Sequence, residues 1–237
     1  LSPSQFERAL ACPLRWFLTT IGADGPSNAA ASLGTLIHAV AEEHPHGTPD
    51  ELTAALEARI EELGYNLDTW AGRVADRHAR DIVNNLASYL EGIPGPVEVE
   101  QTVSAQVEGV TIRGRMDRLE HVDEGVRVTD LKTGKSGYSA KTVPDNPQLA
   151  AYQMALLASG ERVAGARIAL LGDDKLKYFD QPRLEGQALE DWHDKLRSVA
   201  VDARGPYFEA RPSDVACAYC SFDRLCPARE RGHKVVE

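Results

Sequence analysis

The first third of the chain carries apolar residues at helical spacing. Within residues 1–20 an apolar side chain returns every third or fourth position behind a Ser-Pro-Ser start, which is typical of an amphipathic helix. The same spacing recurs at 31–43, at about 50–63 and at about 69–91. We therefore predict a mainly helical N-terminal region.

The pattern changes after IPGP, residues 93–96, which punctuate the chain with two prolines and a glycine. Beyond them, apolar and polar residues alternate in three runs, at 97–103, 110–122 and 125–134. Alternation of this kind predicts half-buried strands. VDEG supplies a turn between the last two runs, so together they predict a three-strand meander.

Helix and strand patterns then follow one another. DNPQLAAYQMALLA predicts a helix over 145–158, RVAGARIALLG predicts a buried strand over 162–172, and a last helix is predicted over about 185–203. KLKYFD is a candidate to pair with that strand. This order predicts an α/β fold with a mixed central β-sheet flanked by helices and a helical insertion before the sheet.

The composition is that of an ordinary globular protein, with 43% hydrophobic and 26% charged residues among 237. This length fits one good-sized domain or two small ones. No apolar run approaches 18 residues and no secretory signal opens the chain, so we expect a cytoplasmic protein without a membrane partner. The missing initiator Met fits a fragment of a longer polypeptide.

The net charge of −10 counts against a nucleic-acid partner, because binding a polyanion usually draws on clustered Lys and Arg. Net charge is a sum, however, while a binding face is local, and an acidic metal site adds negative charge that a cation offsets. Seven cations are candidates for a local basic track, the alternative being scattered surface charge: Arg8, Arg15, Arg113, Arg115, Arg118, Lys135 and Lys141.

Three of the four cysteines lie in CAYCSFDRLCP, as Cys217, Cys220 and Cys226, and the fourth is Cys12. Loop thiols or a disulfide framework would explain them, but disulfide-stapled domains are usually smaller and exported. C-x2-C-x5-C instead indicates a metal or cluster knuckle that lacks one ligand. We predict that Cys12 completes a four-thiolate site tying the two ends together; spacing alone leaves Zn²⁺ and an iron–sulfur cluster open.

Candidate chemistry also lies on two neighbouring strands. Asp130 ends an apolar strand, and the two-residue period of a strand puts Lys132 on the same face. In isolation the two would be an ordinary surface ion pair. Asp117 lies on the adjacent strand, however, and two facing carboxylates repel one another unless a cation lies between them. Hard oxygen ligands suit Mg²⁺ or Mn²⁺, so the set points to metal-assisted phosphodiester hydrolysis.

Two predicted helices carry further candidates. His38, in GTLIHAV, is either a packed or surface histidine or a metal ligand. Gln148 and Tyr152 are four residues apart, so they share one helix face. They are either ordinary amphipathic residues or flank the same site.

GTLIH, GRMD, DLKTGK and QLAAY, in this order, resemble the motifs of the PD-(D/E)XK nuclease superfamily, in its RecB-nuclease branch. That branch carries a helical His, an Asp, an Asp-x-Lys and a Gln-x-x-x-Tyr. The frame formed by one N-terminal cysteine and a C-terminal C-x2-C-x5-C is similar to the iron–sulfur staple of AddB-type nuclease domains. LSPSQFERALACPLRWF resembles the start of nuclease domains fused behind helicases, most closely those of AdnAB-type helicase–nuclease subunits.

The resemblance implies a role for each matching residue. It implies catalytic roles for Asp117, Asp130 and Lys132, with Gln148 and Tyr152 contacting DNA or positioning the active-site groups. The metal ligands that it implies are the side chains of His38, Asp117 and Asp130 and the backbone carbonyl of Leu131. Its ligands for a 4Fe-4S cluster map onto Cys12, Cys217, Cys220 and Cys226.

The resemblance also implies a restriction-endonuclease-like fold in a single nuclease domain, 1–237. Its parts would be a mainly helical region with the first cluster cysteine (1–92), the nuclease core (93–204) and a C-terminal cysteine knuckle (205–237) that joins both termini.

The implied activity is that of a Mg²⁺- or Mn²⁺-dependent deoxyribonuclease, cutting single strands in DNA end-processing, repair or recombination. Its partners would be DNA, as single strands or duplex ends, with a fused or associated helicase motor and a second subunit. Two alternatives stay open: a catalytically silent DNA-binding or scaffold module of the same fold, and a zinc-stabilised interaction domain unrelated to nucleases.

Overall fold

The computed structural model describes residues 1–23, 33–93, 95–134, 137–218 and 220–229. Within these ranges, none of the helices has the length and apolar character needed to cross a membrane.

Helices precede, interrupt and follow a single sheet. The helices are α1 (Pro3–Ala11), α2 (Pro13–Thr20), α3 (Leu33–Glu43), α4 (Pro49–Glu57), α5 (Trp70–Glu91), α6 (Pro147–Ala158), α7 (Gly186–Arg204) and the short α8 (Asp214–Cys217). The strands are β1 (Val97–Val107), β2 (Val110–Val122), β3 (Gly125–Lys132), β4 (Val163–Leu170) and β5 (Lys177–Pro182).

The five strands form one mixed sheet in the order β1-β2-β3-β4-β5. β1, β2 and β3 are the antiparallel meander that the alternating pattern predicts. β4 runs parallel to β3, and α6 makes the crossover that a parallel pair requires. β5, the KLKYFD segment, pairs antiparallel with β4. The prediction of a mixed α/β fold with a central sheet flanked by helices is confirmed.

Two hydrophobic cores lie against the sheet. One joins α1, α6 and α7 to the sheet and contains Phe6, Leu149 and Trp192. The other joins α3, α4 and α5 to it and contains Ile37 and Leu86. The helices thus form two layers with separate cores, and the cleft described below opens where α3 and α6, one from each layer, approach the same strand ends.

The helix predicted over residues 1–20 breaks into α1 and α2. Pro13 restricts the residue before it, and Cys12 is extended, with φ −163° and ψ 105°. α1 begins with a capping box between Ser2 and Gln5, and the second helix starts at the proline itself. The break places the half-buried cysteine at a corner between two helices.

The helix predicted over about 50–63 also ends early. α4 stops at Glu57, and a 3-10 turn, Ile60–Leu63, follows it.

A close contact fixes α1 against the sheet, because a Cβ on Gly114 would lie 2.7 Å from Pro3 Cδ and 2.9 Å from Tyr152 Cε1. Glycine therefore lets α1, β2 and α6 meet beside the cleft.

Candidate active site

A cleft of about 710 Å³ lies where the middle of β2 and the C-terminal end of β3 meet α3, α6 and β1. The residues predicted for the catalytic and metal site all line it: His38, Asp117, Asp130, Leu131, Lys132, Gln148 and Tyr152. Sequence motifs far apart in the chain are therefore close together in the fold.

The register of β2 and β3 brings the two aspartates side by side. Arg118 pairs with Thr129, so the preceding residue of β2, Asp117, stands opposite Asp130. Asp117 Oδ2 accepts the Leu131 N–H at 2.8 Å. The facing carboxylates predicted from the sequence are thus present, and one is fixed by the backbone of the strand that carries the other.

Asp130 is buried, with 5% of its surface exposed. Its Oδ1 accepts from Gln148 Nε2 at 2.9 Å, and its Oδ2 lies 2.7 Å from Lys132 Nζ. Burial raises the pKa of Asp130, and the neighbouring Lys132 charge offsets part of that rise. This burial rules out the ordinary surface ion pair as a description of these two residues.

Lys132 is held between two side chains. Besides Asp130, its Nζ contacts Gln148 Oε1 at 3.5 Å. Burial lowers the pKa of Lys132, but Asp130 together with Tyr138 and Asp117 outweighs that effect, and the pKa lies above its ordinary value. The side chain is therefore a charged ammonium in a largely desolvated place.

His38 projects from α3 toward β2, where its Nδ1 lies 3.4 Å from Asp117 Oδ1. Hydrogen bonding to Asp117 raises the pKa of His38, although burial opposes the rise. The side chain is about one-third exposed and lines the cleft, so it is a site residue rather than a packed core histidine.

Sequence reasoning missed Glu100, an acidic residue that lines the cleft beside the predicted metal ligands. Ligand atoms of Glu100, His38 and Asp117 all lie within 4.8 Å of one another, which is close enough to hold a metal ion. Glu100 has a φ of +52°, an uncommon left-handed conformation for a residue that is not glycine. In VEVEQTV it looks like a solvent-facing strand residue. It lies between the pairs Val99–Arg118 and Gln101–Met116, level with Asp117, and this register is set by the fold, so no local sequence signal marks Glu100.

Glu100 is itself paired with a cation. Its Oε2 lies 2.5 Å from Arg115 Nε, and the two side chains are 12% and 65% exposed. Burial raises the pKa of Glu100, and the Arg115 charge offsets part of the rise. The cleft thus has two cation–carboxylate pairs, one deep at Lys132 and one near solvent at Arg115.

The pair from α6 has two different tasks. Gln148 bonds both Asp130 and Lys132, as a positioning residue would. Tyr152 instead donates its hydroxyl to the backbone carbonyl of Arg115 at 2.6 Å, so it ties α6 to β2. Burial raises the pKa of the Tyr152 phenol, which is therefore protonated and able to donate that bond at neutral pH.

One member of the predicted basic track is misassigned. Arg118 is 1% exposed and donates to the carbonyls of Ala41 and Pro45, at 2.9 and 2.6 Å. It anchors the C-terminal end of α3 to β2 and cannot reach DNA. Lys135 lies outside the described residues.

The two cysteine-bearing regions lie next to each other. The Leu14 N–H donates to the Glu209 carbonyl at 3.1 Å, and Arg15 Nη1 donates to the Ala216 carbonyl at 2.9 Å. Cys12 Sγ accepts the Arg211 N–H at 3.5 Å. The start of α2 therefore packs on the segment that leads to the other three cysteines.

The sulfur atoms do not form the single compact centre that the sequence predicts. Among the described residues, no three cysteine sulfurs lie within 4.8 Å of one another. Four thiolates around zinc, at about 2.3 Å each, would be about 3.8 Å apart. All four cysteines are half-buried and free of disulfides.

The model of the PD-(D/E)XK nuclease superfamily matches residues 1–227. A candidate exonuclease from Eubacterium rectale is similar in structure, with a TM-score of 0.53 and 12% identity over 100% of this chain and 89% of that chain. The protein SSO0001 gives a TM-score of 0.48 and 16% identity over 97% and 86%. The curated proteins contain no significant match.

Proposed function

The chain belongs to the PD-(D/E)XK nuclease superfamily, and from this premise we propose that it is a Mg²⁺- or Mn²⁺-dependent deoxyribonuclease of the RecB-like branch. One observation carries the proposal: the cleft gathers His38, Asp117, Asp130 and Lys132, four residues from three separate motifs, around one space. An interaction domain unrelated to nucleases is excluded, because the family model covers almost the whole chain.

The side chains of the cleft fit a hard divalent cation. His38, Glu100 and Asp117 already converge within 4.8 Å, and Asp130 stands opposite Asp117. Carboxylate oxygens with one imidazole suit Mg²⁺ or Mn²⁺. We assign the Leu131 carbonyl as a further ligand, on the family pattern. When bound, the cation would neutralise the phosphate and lower the pKa of a bound water.

The residues of the protein would each make a separate contribution to cleavage. Lys132, as a charged and largely desolvated ammonium, would align the attacking water and counter charge developing on the phosphate. Gln148 would hold Lys132 and Asp130 in their mutual positions through its two contacts. Tyr152 would fix β2, and so Asp117, against α6.

The substrate we propose is DNA, as single strands or duplex ends, in end-processing for repair or recombination. The RecB-like motifs support this choice, and so does a cleft open to solvent at Arg115. A helicase motor, fused or associated, and a second subunit would supply much of the DNA affinity. Tethering of that kind raises the local substrate concentration, which suits a chain with a net charge of −10.

We also propose that the four cysteines hold a 4Fe-4S cluster. The support is the donor set, four free cysteines, and the packing of α2 against the segment that carries the last three. Cys12, Cys217, Cys220 and Cys226 would each supply one thiolate to such a cluster. A brown protein absorbing near about 400 nm, with about four irons per chain, would support the cluster; a colourless zinc protein would contradict it.

The experiment that tests the activity uses end-labelled single- and double-stranded DNA, with Mg²⁺, with Mn²⁺ and with EDTA. Wild type should cut only with a divalent cation, and Asp130→Ala should abolish cutting while leaving the iron content unchanged. Asp180→Ala is the matched control, because it removes an exposed carboxylate from β5 outside the cleft. Cutting by Asp130→Ala at the wild-type rate would contradict the site; no cutting by folded wild type would favour a silent DNA-binding module.

A further inference from the structure

The two cations of the cleft have different surroundings. Lys132 is 26% exposed and its partner Asp130 is 7% exposed, so that pair lies in the floor of the cleft. Arg115 is 65% exposed, although its guanidinium reaches in to Glu100, which is 12% exposed. One end of the Arg115–Glu100 pair thus faces solvent while the other faces the metal ligands.

Glu100 lies beside His38 and Asp117, with ligand atoms of all three within 4.8 Å. Its Oε2 is nevertheless occupied by Arg115 at 2.5 Å. A guanidinium and a divalent cation compete for the same carboxylate, since both attract its negative charge. The Arg115 contact therefore weakens Glu100 as a metal ligand for as long as it persists.

A phosphate group can break this competition. Arg binds phosphate through two parallel N–H donors, and such charge-assisted pairs are among the strongest hydrogen bonds in proteins. The Arg115–Glu100 pair, by contrast, is open to solvent at its arginine end, and ion pairs with access to solvent contribute little free energy. A DNA phosphate at the cleft mouth would therefore draw the guanidinium away from Glu100.

We propose that Arg115 couples DNA binding to metal binding: a backbone phosphate takes its guanidinium, which frees Glu100 to bind the cation with His38 and Asp117. This proposal rests on the nuclease function proposed above and adds a regulatory contact to it. Arg115 is in this sense a positioning residue that acts through Glu100.

The backbone around Arg115 is built to stay still during such a change. Its carbonyl accepts the Tyr152 hydroxyl at 2.6 Å, and β1 pairs with β2 at Arg115 itself, through Thr102, and at both of its neighbours, through Gln101–Met116 and Val103–Gly114. Only the arginine side chain needs to move. The proposed change is therefore a single rotamer change of Arg115 at the mouth of the cleft.

Thermodynamic linkage makes the effect reciprocal and measurable. Mn²⁺ affinity is measured by titration calorimetry, with and without a single-stranded phosphorothioate oligonucleotide, which keeps the backbone charge and resists cleavage. Arg115→Gln should bind Mn²⁺ about two- to fivefold more tightly than wild type without DNA, because it removes the competing pair. The gain in affinity that DNA gives should fall by the same factor.

Two variants complete the design. Arg167→Gln is the matched control, since it removes an arginine from an ion pair with Asp180 across β4 and β5, away from the cleft, and should leave both affinities unchanged. Glu100→Gln should lower Mn²⁺ affinity more in the presence of the oligonucleotide than in its absence. Melting temperatures in EDTA check that each variant folds.

The outcomes separate the two proposals. Equal or weaker Mn²⁺ binding by DNA-free Arg115→Gln would overturn the coupling, because Arg115 would then be inert or would hold Glu100 in place for the metal. If wild type bound no Mn²⁺ with or without DNA, and Asp117→Asn behaved identically, the metal-dependent nuclease function itself would fail.

Discussion

At the scale of single residues, Glu7 is a carboxyl whose pKa depends on burial and on the charge of Lys132. It lies half-buried on α1, and its Oε1 accepts from Asn146 Nδ2 at 3.4 Å. Burial raises the pKa of Glu7 above its ordinary 4.5, and the Lys132 and Arg8 charges offset only part of the rise. The folded state therefore binds this proton more tightly than the unfolded state does.

Glu7→Gln should accordingly stabilise the protein at neutral pH. For a carboxyl whose pKa is raised by folding, ionisation costs stability; the cost is absent below the unfolded pKa and complete above the folded pKa. The melting temperature of Glu7→Gln should exceed that of wild type at pH 8, and the difference should shrink as the pH falls toward 4. Glu124→Gln, at an exposed turn, is the control for removing the same charge, and a pH-independent difference at Glu7 would contradict the prediction.

The sequence predicted some residues of the site and missed others for physical reasons. Asp130 and Lys132 follow from the two-residue period of a strand, because their relation is local. Glu100 does not, because its role depends on lying level with Asp117 across β1 and β2 and on a left-handed backbone that its flanking residues do not predict. Arg118 looked like a DNA-binding cation because burial is decided by α3, far along the chain.

At the scale of elements, Arg118 connects a helix to the sheet. Its guanidinium donates to the Ala41 and Pro45 carbonyls and lies 5.7 Å from the centre of the Tyr89 ring. α3 carries His38, and Asp117 directly precedes Arg118 on β2. The contact therefore sets the distance between two predicted metal ligands.

Arg118→Met should reduce the free energy of unfolding by about 2–4 kcal/mol, because two hydrogen bonds from a charged donor are lost and both carbonyls lose their partner. Denaturant titration measures the loss. Arg113 lies on the same strand with an exposed side chain, so Arg113→Met should reduce the free energy of unfolding only slightly. Mn²⁺ affinity of Arg118→Met should also fall, as His38 loses its fixed position; unchanged stability would show that the contact is not an anchor.

The elements themselves were largely predictable from local pattern. Apolar spacing, helix start signals and alternation predicted the helices and strands, and the meander followed from short turns. The Cys-Pro dipeptide indicates the break at Cys12, but the apolar spacing continues on both sides of it and so predicted one continuous helix. The parallel pairing of β3 with β4 rests on α6 crossing the sheet, which no local pattern specifies.

At the scale of the whole molecule, the contact between α2 and the segment around Glu209 closes most of the chain into one loop. A covalent or cluster link from Cys12 to Cys226 would remove unfolded-state entropy for a loop of about 214 residues, about 5 kcal/mol in the chain-entropy description. Packing supplies part of this closure already, so a cluster would reinforce it.

Cys12→Ser should therefore lower both the iron content and the melting temperature of the anaerobically purified protein. Wild type stripped of iron should have the same melting temperature as Cys12→Ser, since both lack the same link. Removing iron from the variant should change its melting temperature little further. Two results would contradict the proposed link: a Cys12→Ser protein with its full iron content, or a wild-type melting temperature that does not change when iron is removed.

The order of the elements along the chain has a consequence for synthesis. The cleft is lined by residues up to Tyr152, and the sheet ends at Pro182. Cys217 follows about 35 residues later, which at 5–20 residues per second takes about 2–7 s of translation. A nascent chain can thus assemble its acidic cleft before the segment that packs on α2 has been made, and the closing cysteines are the last of these parts to emerge from the ribosome.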